Sequence, residues 1–157
     1  MRSQAEEGTL LYSAGEIDEF CETMPNQERK RFWALVELIE KEYETISKRV
    51  KPMGKPIHLM EVFCSSDSSL TKQVQQLGGH AIRFGLAQGD LQTVEGRKDL
   101  LTALCRHCPK HVWLSPRCGP WSCWSNFNQN RSLQMWDKVH SDRLEMLVQV
   151  ALCLVLS

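Results

Sequence analysis

The sequence lacks net charge: 19 Lys and Arg residues balance 19 Asp and Glu residues. That argues against strong non-specific binding to a phosphate backbone, which needs a basic surface. A local patch survives the test, and Lys48, Arg49, Lys51 and Lys55 form one such cluster. The chain also lacks a secretory leader. Met1-Arg2-Ser3-Gln4-Ala5-Glu6-Glu7 is polar and carries no apolar core. It lacks an apolar run of membrane length. Met146 to Leu156 is strongly apolar but covers only 11 residues, against the ~20 that a spanning helix needs, so it reads as a buried helix. No membrane partner is expected, and there is no internal repeat or low-complexity tract. Cysteine, by contrast, is plentiful: seven, an odd number. Without a leader, that points to a reduced cytosolic or nuclear compartment, and Asn130-Arg131-Ser132 is read as a chance match to the glycosylation pattern.

The remaining composition is that of an ordinary globular protein, with 42% hydrophobic and 24% charged residues. A length of 157 residues suits one domain, or one domain with an extension. Residues 1–25 read as poorly ordered, with a short helix around Ile17 to Cys21. A helix extension is expected over 26–50, because Phe32, Leu35, Val36, Ile39, Tyr43 and Ile46 recur at three- and four-residue spacing and share one face. Lys51-Pro52-Met53-Gly54-Lys55-Pro56 breaks it, and the main domain is placed at 56–157. There Ile57 to Phe63 reads as a strand, followed by a polar loop and a helix from Leu70 to Leu77 that Ser69 would cap and Gly78-Gly79 would end. Ala81 to Phe84 reads as a second strand, Glu95 to Cys105 as a helix with Leu100, Leu101 and Leu104 buried, and His111 to Leu114 as a third strand. A last helix, in one or two pieces, would run from about Ser132. Strands alternating with helices imply an α/β fold built on a parallel sheet.

Loops at the carboxyl ends of strands in such folds are where ligands bind. Cys118 stands in Ser115-Pro116-Arg117-Cys118-Gly119-Pro120-Trp121-Ser122, directly after the third strand. Two prolines and a glycine make that loop tightly turned, and a cysteine fixed there is a candidate nucleophile. Two more segments stand at strand ends: Glu61-Val62-Phe63-Cys64-Ser65-Ser66-Asp67-Ser68-Ser69-Leu70 and Gly89-Asp90-Leu91. In order, over roughly residues 57–130, the three motifs resemble the amino-terminal half of the cytosine-5 DNA methyltransferases. The resemblance implies a Rossmann-like parallel sheet, partial in this chain, with flanking helices and an amino-terminal helical extension, binding S-adenosylmethionine. It implies that Phe63 packs near the cofactor adenine, that Asp90 accepts a hydrogen bond from the adenine amino group, and that Ser65 and Ser66 are weaker contacts of the cofactor loop. Cys118 would attack C6 of a cytosine in DNA or RNA, making C5 nucleophilic toward the methyl group, with the base flipped out of a duplex. Arg117, or a helix amino terminus beyond Pro120, would lower the thiol pKa from its usual value of about 8.5, and Arg117, Trp121 and Ser122 would face the substrate.

The chain departs from the family in several places. Ser65, Asp67 and Ser68 stand where the family has glycines, which let a backbone approach a ligand closely. Arg83-Phe84-Gly85 offers no acidic residue for the ribose hydroxyls. The later Glu-Asn-Val motif has no counterpart before Ser157, so the expectation is a fragment or divergent relative whose carboxyl-terminal half resides elsewhere or on a partner chain. Comparable blocks occur in mobile-element polyproteins, which gives the competing reading: a non-catalytic interaction module with a structural Pro-Cys loop. In the plainer reading Asp90 is a turn residue and Phe63 a core aromatic; of Trp113, Trp121, Trp124 and Trp136, which could form a stacking platform for bases, Trp113 is expected in the core and Trp121 and Trp124 are the better candidates for exposure near a site. A zinc module is a third possibility, from Cys105-x2-Cys108 and Cys118-x4-Cys123 with His107 and His111 nearby. A strand of about six residues would hold those pairs about 20 Å apart, so no metal site is expected. A Cys105/Cys108 redox pair is weaker still, because such pairs usually begin a helix.

Overall fold

The computed structural model describes residues 22, 24–116 and 131–156. It shows four helices and a three-stranded parallel sheet: α1 (Asn26–Arg49), β1 (Leu59–Val62), α2 (Ser69–Gln76), β2 (Ala81–Phe84), α3 (Val94–His107), β3 (His111–Leu114) and α4 (Leu133–Leu156). The expected α/β alternation is present, and the sheet order is β2-β1-β3. Leu59 of β1 registers with Ala81 on one side and with His111 on the other. The central strand is buried along its whole length, as expected for a parallel strand covered on both faces. Met60 and Val62 project into the main core, and Leu59 and Glu61 take the opposite face by strand alternation. Among the described residues no helix is long and apolar enough to cross a membrane.

The core is shared between the sheet and its helices. Phe32, Val36 and Ile39 of α1 are buried in one cluster with Met60, Val62, Leu100, Leu101, Leu104, Leu147 and Leu152. Helix α1 packs on both α3 and α4, so its apolar stripe is covered within the chain. Two polar side-chain contacts accompany that packing. Arg97 Nε of α3 lies 3.6 Å from Glu42 Oε2, with both side chains largely buried. His140 Nδ1 of α4 lies 2.7 Å from Oε1 of the buried Glu28. Neither Glu28 oxygen accepts a hydrogen bond among the described residues.

Several sequence expectations change in detail. β1 is shorter than Ile57 to Phe63, because Phe63 turns to φ 62° and leaves the extended region. Helix α2 starts one residue earlier than expected, with Ser68 at the cap position, but no side chain caps it. The Ser68 hydroxyl is drawn to the Glu61 carboxylate instead. Gly78, at φ 79°, ends α2 in the left-handed conformation that favours glycine. Helix α3 gains a turn's worth of definition from Thr93, whose Oγ1 accepts the Gly96 N–H at 3.0 Å. The final helix is one continuous piece. Trp113 is not a core residue. It is 45% exposed, because it lies beside Glu61 on the face of β3 that no described helix covers. The short helix expected around Ile17 to Cys21 lies outside the described residues.

Candidate functional site at the carboxyl ends of the strands

Because the strands are parallel, the segments after β1, β2 and β3 leave the sheet at the same end. The chain passes from β1 to β2 on one side, then crosses to β3 on the other. The strand order therefore reverses beside β1, and open α/β sheets place their ligand crevices at such a switch point. The exits adjoin closely. Ser115, just past β3, donates its N–H to Val62 O at 3.1 Å, and Phe63 donates its N–H to Phe84 O at 3.2 Å. A Cβ at Gly85 would come within 2.7 Å of Cys64 O, so the exit of β2 also presses on that of β1.

The structure thus brings Phe63, Ser65, Ser66 and Asp90 to one end of the sheet. Phe63 is half-buried against the core and holds a positive φ, a genuine outlier for a bulky residue. Such strain clusters where chain direction matters to function. Ser65 and Ser66 are exposed. Arg83 of β2 reaches across to donate to Ser66 O. Asp90 is also exposed, but its Oδ1 accepts the Gln92 N–H at 3.0 Å, and its carbonyl accepts from Thr93 N at 2.9 Å and Thr93 Oγ1 at 2.7 Å. This residue therefore builds the turn that starts α3, as an Asx turn does. Arg117, Cys118, Trp121 and Ser122 lie outside the described residues, and so do Trp124 and Cys123. Pro116, the residue before them, stands one step beyond Ser115 at the end of β3.

No protein family, curated protein or solved structure matches this chain.

Glu61 is the organising residue that sequence reasoning saw only as part of a motif. It is 5% exposed on the central strand. Ser68 Oγ lies 2.6 Å from each of its oxygens, and Thr71 Oγ1 donates to Oε2 at 2.7 Å. A buried carboxylate needs such donors to offset lost hydration. Here they come from the loop and first turn after β1, so the carboxylate pins that loop over the sheet. The signal was legible: one acid inside an apolar strand, with hydroxyls seven and ten positions later.

Two further groups set the local charge. Burial, and then the Glu61 charge, push the Cys64 thiol up. Its Sγ donates to Glu61 O at 3.4 Å, so it is a neutral thiol and a poor nucleophile at neutral pH. A hydrogen bond from Ser65, then a local backbone hydrogen bond and the charge of Lys72, hold the exposed Asp67 carboxyl below its usual range. The loop after β1 therefore presents an anion. That suits a cationic ligand group such as a sulfonium and opposes a carboxylate. Among the described residues no three His, Cys, Asp or Glu side chains converge on a metal position.

Proposed function

We propose that this chain is an S-adenosylmethionine-binding, methyltransferase-like domain with a Rossmann-like sheet. Cys118 would be the nucleophile toward cytosine in nucleic acid, and a carboxyl-terminal half or partner chain would complete the catalytic apparatus. The observation that supports this reading is the arrangement of the motifs. The first two, and Ser115-Pro116 at the start of the third, follow strands that end on one side of one parallel sheet beside its switch point, where such folds bind ligands. Phe63 would offer its ring face to the adenine, and the anionic Asp67 would sit toward the sulfonium. Arg117, Trp121 and Ser122 would contact the base. When bound, the cofactor would supply the methyl group. The chain's own part is to hold the cofactor at the strand ends and, through Cys118, to activate the ring carbon.

The test is calorimetric titration of S-adenosylhomocysteine into the purified chain and into Asp90→Asn. Asparagine keeps an acceptor for the Gln92 N–H and removes the charge. Saturable binding that the substitution weakens supports the reading. No binding by a well-folded protein overturns it. That outcome favours the second reading, a non-catalytic interaction module. Its supporting observation is that Asp90 Oδ1 and the Ser68 hydroxyl are already engaged within the chain.

A further inference from the structure

The amino-terminal ends of the three strands form the opposite pole of the sheet, and that pole is basic. Lys51 and Lys55 lie on the segment entering β1, and Arg106 and Lys110 flank the turn from α3 into β3. Backbone hydrogen bonds lace the two segments together. Met53 N–H donates to Arg106 O at 2.8 Å, Ile57 N–H to His107 O at 3.2 Å, and Lys110 N–H to Ile57 O at 2.9 Å. Histidines continue the rim. His80 N–H donates to His58 Nδ1 at 2.9 Å, and His111 N–H donates to His58 O at 3.1 Å. The four cations and His58, His80 and His111 are all exposed.

Segments 51–58, 78–80 and 106–111 contain no Asp or Glu. Lys48, Arg97 and His140 approach acidic side chains among the described residues, and no such contact is seen there for the four cations of this pole. A chain of zero formal net charge therefore concentrates unpaired positive charge on one surface. We propose that this pole binds the phosphate backbone of a single-stranded nucleic acid. Fixed cations meet phosphates, and exposed imidazole rings offer faces on which unpaired bases stack. An acidic peptide or an anionic lipid surface would use the charges and leave the rings idle. The pole faces away from the crevice at the carboxyl ends, so it stands on charge and exposure and does not depend on cofactor binding.

The test is fluorescence anisotropy of a labelled oligothymidylate with the full chain, at about 50 and about 200 mM KCl. Four phosphate contacts give a log–log salt slope of about −2.8, or roughly fifty-fold weaker binding across that range. Replacing Lys51, Lys55, Arg106 and Lys110 together by Gln should weaken binding at low salt at least ~10-fold and flatten the slope. A second variant carries Lys30→Gln, Lys41→Gln, Lys72→Gln and Lys98→Gln, which removes the same charge from exposed positions elsewhere. It should keep the slope, and circular dichroism checks that both variants fold. Equal slopes in the two variants would overturn the proposal, as would binding to phosphatidylserine vesicles without binding to the oligonucleotide.

Discussion

Gly96→Ala sets two physical effects of opposite sign against each other. Gly96 lies in the first turn of α3, where alanine is favoured over glycine by about 1 kcal/mol on helix propensity alone. The packing opposes it. A Cβ at this position would sit 2.0 Å from Asp90 O, 2.5 Å from Asp90 C and 2.9 Å from Asp90 N. These are backbone atoms, so no side chain can swing aside. Either α3 or the turn at Gly89-Asp90 must move by about an ångström, and overpacking of that kind costs about 1–3 kcal/mol. The movement also pulls on the Thr93 cap, whose oxygen bonds both Gly96 N–H and Asp90 O, and losing a cap costs about 1 kcal/mol. After the propensity gain, the variant should be less stable by about 1–3 kcal/mol. Equilibrium urea unfolding reads this directly. With a slope of about 1–3 kcal/mol per molar, the midpoint should fall by roughly 1 M. A midpoint that rises would refute the reasoning, because it would mean that α3 does not press on the Asp90 turn.

Glu61→Ala should destabilise the fold by about 2–4 kcal/mol, since it strands the Ser68 and Thr71 hydroxyls over the sheet. Hydrogen exchange should show the loss of protection centred on residues 65–72, and uniform loss along the chain would count against the pinning role. Alkaline pH acts through Cys153, whose thiol burial pushes up to about 12 from 9.0. A raised thiol pKa favours the protonated folded state, so its stabilising contribution is complete below pH 9 and lost as pH rises toward 12. The urea midpoint should therefore decline over that window, at no more than about 1.4 kcal/mol per pH unit from this group. Cys153→Ala should show a shallower decline, and an unchanged slope would remove Cys153 as its source.

The elements were legible where local pattern and tertiary environment agree. Ala81–Phe84 and His111–Leu114 are strands as their apolar runs predict, and Asn26–Arg49 is a helix as its spacing predicts. Glycine at the end of α2 does what its position implies. Departures arise where a distant partner overrides a local preference. Ser68 is drawn from capping by a carboxylate seven residues back, and Trp113 is exposed because a strand carries no label for which of its faces is covered. At the candidate site, the sequence located the strand ends that converge. It could not say that Asp90 Oδ1 folds back on its own turn, because an Asp before a helix serves a ligand or a backbone with the same residue. The basic cluster at Lys51 and Lys55 was visible as a run. Its continuation through Arg106 and Lys110 needed the strands to bring two segments together.

The packing of α1 on α4 also sets a timetable. Phe32 leaves the ribosome 115 residues before Leu147, yet both belong to one buried cluster. At a synthesis rate of about 5–20 residues per second, the apolar stripe of α1 waits roughly 6 to 23 s for the helix that covers it. β1 likewise waits for β3 before its second edge is paired. The core is thus closed only when α4 reaches α1, and the apolar stripe of α1 is made well before its cover.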